Sequence, residues 1–107
     1  MTDFTDRQRG EEAKFAMDAE TAFRVAARRN RLLGHWAAEK MDLGPEETEA
    51  YAKAVIQADF EEAGDEDVIR KVLGDLVAAG VDIDEAGVRE ALEQKAVEAR
   101  RQLMGES

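Results

Sequence analysis

The chain has 107 residues, 25 of them acidic and 15 basic, giving a formal net charge of −10. That length suits one small domain, which should bury roughly 65% of the surface its unfolded form exposes. With no Cys in the sequence, disulfides, zinc–thiolate sites and thiol catalysis are excluded. No apolar stretch approaches the ~20 residues that span a bilayer, and the opening MTDFTDRQRGEE lacks the apolar run of a secretory signal, so the expectation is a cytoplasmic protein with no direct membrane insertion. A single Pro, a single Ser and abundant Ala, Glu and Arg point to an all-α chain.

The first seventeen residues form an arm distinct from the rest. Thr5 followed by Gln8 fits a capping box, and Phe4 and Phe15 are spaced to share one helical face. Gly10 interrupts the pattern, and so few apolar groups cannot hold an isolated short helix in water. The arm, residues 1–17, is therefore expected to be flexible and conditionally helical.

Residues 18–107 read as an antiparallel four-helix bundle with short loops. The first helix spans about Asp18 to Met41, with Phe15, Ala19, Ala22, Phe23, Ala26, Leu33 and Ala37 on one apolar stripe, widened by Val25, Leu32 and Trp36 and interrupted at Asn30. Gly44-Pro45 starts a second helix, since Pro suits the first helical position. It should run to about Glu62, burying Tyr51, Ala54, Val55 and Ala58 with Ile56 or Phe60 alongside. Gly64 and Asp65 separate it from the third, Glu66 to Ala79, with Asp65 expected to accept from orphan amides. Val68, Ile69, Val72, Leu73, Leu76 and Val77 make the third helix the densest apolar stripe. Gly74 inside it costs about 1 kcal/mol against Ala, which suggests close approach to a neighbouring helix. Gly80 closes that helix, and a fourth starts after Asp84 and runs to about Leu103, with Ile83 and Val88 as a staple around that cap.

Enzymatic parts are scarce. His35 is the only His and Ser107 the only Ser, so no Ser/His/Asp or Cys/His constellation can be assembled, and no glycine pattern cradles a phosphate. No catalytic or metal-binding residue is expected. The segment from Asp82 resembles a calcium loop, with Asp82, Asp84, Gly87 and Glu93 at its first, third, sixth and twelfth positions, but Ala86 replaces a ligand and Arg89 an aliphatic residue. A helix cap explains the same residues. Charge is uneven: residues 1–40 carry eight Lys or Arg and seven Asp or Glu, and the remainder is strongly acidic. The Arg24–Arg31 cluster either binds an anion or pairs with acidic residues of the second and fourth helices, the favoured reading. A −10 chain is a poor nucleic-acid binder.

Read together, Ala27-Arg28-Arg29-Asn30, Leu32-Leu33-Gly34, Trp36-Ala37-Ala38-Glu39-Lys40, Ala50-Tyr51-Ala52-Lys53, Ala58-Asp59-Phe60-Glu61-Glu62, Gly64-Asp65-Glu66-Asp67-Val68, Arg70-Lys71-Val72 and Ala79-Gly80-Val81 resemble segments of the zeta subunits of alphaproteobacterial ATP synthases. Phe4, Asp6-Arg7 and Lys14-Phe15-Ala16, followed by Asp18 and Glu20, extend the resemblance into the arm. The resemblance implies a four-helix bundle that binds the alpha, beta and gamma subunits of the catalytic head at the cytoplasmic face of the membrane and inhibits ATP hydrolysis. It implies that the arm enters a catalytic alpha/beta interface beside the gamma stalk as a helix, with Phe4, Arg7, Lys14 and Phe15 as partner-binding positions. Some members resemble nucleotide binders, but no residue here identifies such a site and no cofactor is expected. The free protein is expected to be a monomer. A small helical calcium-binding or scaffold protein is the alternative that composition and spacing leave open.

Overall fold

The computed structural model of the chain describes residues 19–59 and 64–105. The expectations for the arm, for its residues Phe4, Arg7, Gly10, Lys14 and Phe15, and for Phe60 to Glu62 lie outside the described residues. Four helices follow in order: α1 (Ala19–Lys40), α2 (Pro45–Ala58), α3 (Glu66–Ala78) and α4 (Glu85–Leu103). Among the described residues there is no strand, and no helix is long and apolar enough to cross a membrane.

Local chemistry sets most boundaries. α1 ends in a Schellman turn, in which the Leu43 N–H donates to the Ala38 carbonyl at 3.0 Å and the Asp42 N–H to that of Glu39 at 3.1 Å. Asp42 takes the left-handed position at φ 60°. Gly44 caps α2 and Pro45 opens it, while the Glu47 carboxylate accepts from the Gly44 N–H at 3.1 Å. α2 runs to Ala58, where the Asp59 N–H reaches back to Ile56 at 3.3 Å, a tightened last turn. α3 closes on a second Schellman turn, with Gly80 at φ 86° and the Val81 N–H donating to Leu76 at 2.9 Å. Asp84 caps α4 as expected, its carboxylate accepting from the Gly87 N–H at 2.9 Å.

Asp65 departs from expectation. It occupies the cap position of α3, but its side chain makes no capping hydrogen bond. Its carboxylate lies instead 3.0 Å from Nη1 of Arg29 on α1. A charge-assisted contact to a nearly buried guanidinium competes well with a neutral N–H donor.

The core gathers Leu33 and Ala37 of α1, Val55 of α2, Val68, Ile69, Val72 and Leu76 of α3, and Val88, Ala91 and Leu92 of α4. α3 supplies the most, as its dense stripe predicts. Full burial of each Leu, Ile or Val stabilises by about 1.5–3 kcal/mol. Val77 is the exception on α3, at 55% exposure. On α1 the buried face is Val25, Asn30, Leu33, Gly34, Ala37 and Ala38. The expected stripe is therefore displaced: Ala19 is exposed and Phe23 is 54% exposed. Asn30, taken as a break in the stripe, is fully buried.

Helix α1 packs against each of the other three, α3 likewise, and α2 and α4 do not meet. The closest approach is at Gly34. A Cβ placed there would lie 2.7 Å from the Ala52 backbone of α2. The same test at Gly74 finds nothing within 4 Å, so the close approach expected at Gly74 is absent and belongs to Gly34. On α2 this makes Ala52 buried, while Tyr51, Ala54 and Ile56 are only partly covered.

Candidate functional site

The four arm positions singled out by sequence, Phe4, Arg7, Lys14 and Phe15, lie outside the described residues. α1 begins at Ala19. Of the features the sequence singles out, the arginine cluster of α1 lies among the described residues.

Its four arginines divide into two kinds. Arg29 is 13% exposed and links three elements: Nη1 lies 3.0 Å from Asp65, Nη2 3.5 Å from Asp59, and Nε donates to the Asn30 side-chain oxygen at 3.0 Å. It ties both ends of the α2–α3 connection to α1. The Asn30 amide nitrogen has no acceptor among the described residues, so Asn30 is fixed through its oxygen. Arg24, Arg28 and Arg31 are of the other kind, exposed on α1. Arg24 meets Glu20 of its own helix at 2.7 Å, Arg28 donates to Gln102 of α4 at 2.8 Å, and Arg31 meets Glu49 of α2 at 2.8 Å. The expected pairing with acidic residues of the second helix holds for Arg31. Arg29 pairs instead around the α2–α3 connection, and Arg28 meets a neutral amide.

A groove opens along this face. Phe23, Arg24, Arg28 and Arg31 of α1 line it together with Ile56 of α2 and Leu103 of α4. Phe23 is exposed because α2 and α4 flank α1 there without meeting. Sequence periodicity placed Phe23 in the core because it lies four residues after Ala19 and three before Ala26. The close contact of Gly34 with Ala52, which helps fix where α2 lies against α1, involves two small residues far apart in the chain.

His35 is half-exposed beside the same edge. Its Nε2 lies 3.2 Å from the second oxygen of Glu49, which it shares with Arg31. The geometry is too poor for a hydrogen bond, and no nucleophile adjoins it among the residues paired there. The histidine stands at the edge of the Arg31–Glu49 pair.

Two further clusters are structural. The Tyr51 hydroxyl of α2 donates to Asp75 of α3 at 2.8 Å, Lys71 donates to the same carboxylate oxygen at 3.1 Å, and the Lys71 ammonium sits 5.2 Å from the Tyr51 ring centroid. Burial first, then the hydrogen bond to Asp75 and its negative charge, push the Tyr51 phenol well above the usual tyrosine range. Arg89 of α4 joins Glu66 of α3 to Glu85 of its own helix, each at 2.8 Å, and those hydrogen bonds raise its already high pKa.

The segment that resembles a calcium loop is mostly helical. α4 begins at Glu85, so most of the twelve-residue segment from Asp82 is helix, and one oxygen of Asp84 is committed to the cap. Among the described residues no group of three or more His, Asp or Glu is placed to hold a metal ion.

Comparison with known proteins supplies the remaining observations. A family model described as ATPase inhibitor subunit zeta matches residues 1–102. A protein whose solution NMR structure is known is 49% identical, with a TM-score of 0.69, over 79% of this chain and 96% of that one. Among curated proteins no match is found.

Proposed function

The chain belongs to the ATPase inhibitor subunit zeta family, and from that membership we propose that it blocks ATP hydrolysis by inserting residues 1–17 as a helix at a catalytic alpha/beta interface of the ATP synthase, beside the gamma stalk. An inhibitory role at the ATP synthase follows from the family itself. The insertion, the subunits touched and the flexible state of the free arm are our reading. In it the helices form an antiparallel bundle, a view supported by the short α1–α2 connection between Lys40 and Pro45. The protein acts without a catalytic centre or cofactor, as a monomer when free, on the cytoplasmic side where the catalytic head lies.

The single observation that carries the reading is that the family match begins at residue 1, so it includes the arm and not the helices alone. Physical chemistry agrees with an arm that orders only on its partner. Fixing some twelve residues costs on the order of 12–24 kcal/mol of backbone entropy. Burying Phe4 and Phe15 returns about 3–6 kcal/mol. Helical hydrogen bonds and packing against the enzyme must offset the difference, which only a partner provides. The folded helices then act as a second attachment that raises the arm's effective concentration.

Hydrolysis by the matching ATPase tests this with two chains, the full one and one starting at Asp18. Inhibition by the full chain alone is expected. Equal inhibition by both sinks the arm mechanism, and inhibition by neither sinks the assignment. Replacing Phe4 and Phe15 together with Ala should weaken inhibition strongly and leave the melting temperature of the folded part little changed.

A further inference from the structure

An acidic protein that must attach to a large partner carries one groove of opposite character. Arg24, Arg28 and Arg31 recur at one helical face of α1 in a chain of net charge −10, and they rim a groove with Phe23, Ile56 and Leu103. We propose that this groove is the second attachment point of the protein on the ATP synthase, taking an acidic amphipathic helix of the partner. The proposal rests on the inhibitory reading above and adds the surface and the chemistry of what it binds.

Three observations support this choice of occupant. The first is the state of the guanidinium groups. Arg29, two residues from Arg31, is nearly buried and held by two carboxylates, so its role is internal. By contrast, among the described residues Arg28 meets only the neutral Gln102 oxygen, and Arg24 meets Glu20 in a pair whose side chains are 66% and 73% exposed. An exposed pair of that kind is weakly held and exchanges its carboxylate readily. A partner's carboxylates can therefore replace Glu20 and supply what Arg28 lacks.

The second is the apolar content. Phe23 is 54% exposed, and Ile56 and Leu103 face the same groove from the helices on either side. Aromatic and arginine side chains grouped at one place are the residue types that dominate binding energy at interfaces. The third is shape. The groove runs along α1 with walls contributed by α2 and α4, which do not meet, and a helix laid in it presents apolar and acidic residues at alternating three- and four-residue steps. Residues 41–107 carry seven Lys or Arg against eighteen Asp or Glu, and this net negative charge disfavours other orientations of an acidic partner.

The test uses the full chain and the matching ATPase, with half-inhibitory concentration read at low and high salt. Arg24→Glu and Arg28→Glu together should raise that concentration by about tenfold or more at low salt and flatten its salt dependence, while inhibition at saturation and the melting temperature stay as in the wild type. A photo-cross-linking residue at Leu103 should join the chain to an acidic helical segment of the ATPase. Unchanged half-inhibitory concentration in the double variant overturns the proposal. So does a cross-link that goes only to residues 1–18 of this chain or to a second copy, since the occupant is then a different one. A wild-type chain that fails to inhibit at all instead removes the inhibitory reading, so the wild-type measurement tells the two failures apart.

Discussion

Adding one methyl group at Gly34 or at Gly74 has opposite consequences. At Gly34 the new carbon would stand 2.7 Å from the Cα of Ala52, which is backbone and cannot turn aside. Gly34→Ala should destabilise by about 1–3 kcal/mol, the usual cost of overpacking, despite the better helix propensity of Ala. At Gly74 nothing lies within 4 Å, so Gly74→Ala should stabilise by about 0.8–1 kcal/mol through propensity alone. Urea denaturation of the two variants checks both signs. In the sequence the two glycines look alike, each inside an apolar helical pattern, and Gly74 in its denser stripe looked the better candidate for a close contact. What separates them is the helix across from them, and no local pattern carries that. Asn30 was misread for the same reason: a polar residue in a stripe looks like a break until its oxygen is seen to accept from Arg29 at 3.0 Å.

At the scale of helices, the boundaries were legible where backbone chemistry decides them. Gly44-Pro45, Gly80 and Asp84 act as the sequence indicates, because left-handed turns, a fixed proline φ and an aspartate cap are local matters. Asp65 was not legible, because Arg29 of another helix takes its carboxylate. Arg29→Met should therefore cost about 1.5–3 kcal/mol by removing charge-assisted bonds that hold the α2–α3 connection to α1, readable as a lowered urea midpoint. The link between α2 and α3 through Tyr51 and Asp75 adds a pH dependence. Tyr51 binds its proton more tightly folded than at the unfolded value of 10.0, so the folded state favours the neutral phenol. Its contribution is whole below pH 10 and is lost as the pH rises beyond it. Tyr51→Phe should lower stability by about 0.5–1.5 kcal/mol near neutral pH and lessen the fall in stability between pH 9 and pH 11. A variant that falls as steeply as the wild type over that range would place the alkaline sensitivity in other groups, such as the lysines.

Across the whole molecule, the proposed division into arm and folded part has a direct thermodynamic consequence. Every residue of the apolar core cluster lies between Leu33 of α1 and Leu92 of α4. The ion pairs that cross between helices, Arg29 with Asp59 and Asp65, Arg31 with Glu49, and Arg89 with Glu66, likewise lie within the described helices and their connections. The first turn of α1 is exposed at Ala19 and Glu20. Removing residues 1–17 therefore takes away none of these core contacts. A chain starting at Asp18 should melt in one cooperative transition within about 4 °C of the full chain, the shift that ~1 kcal/mol produces in a domain of this size. Differential scanning calorimetry of the two chains measures it. A much larger drop, or loss of the transition, would show that the arm packs into the folded part, and inhibition lost on truncation could then no longer be credited to the arm's own contact with the ATP synthase.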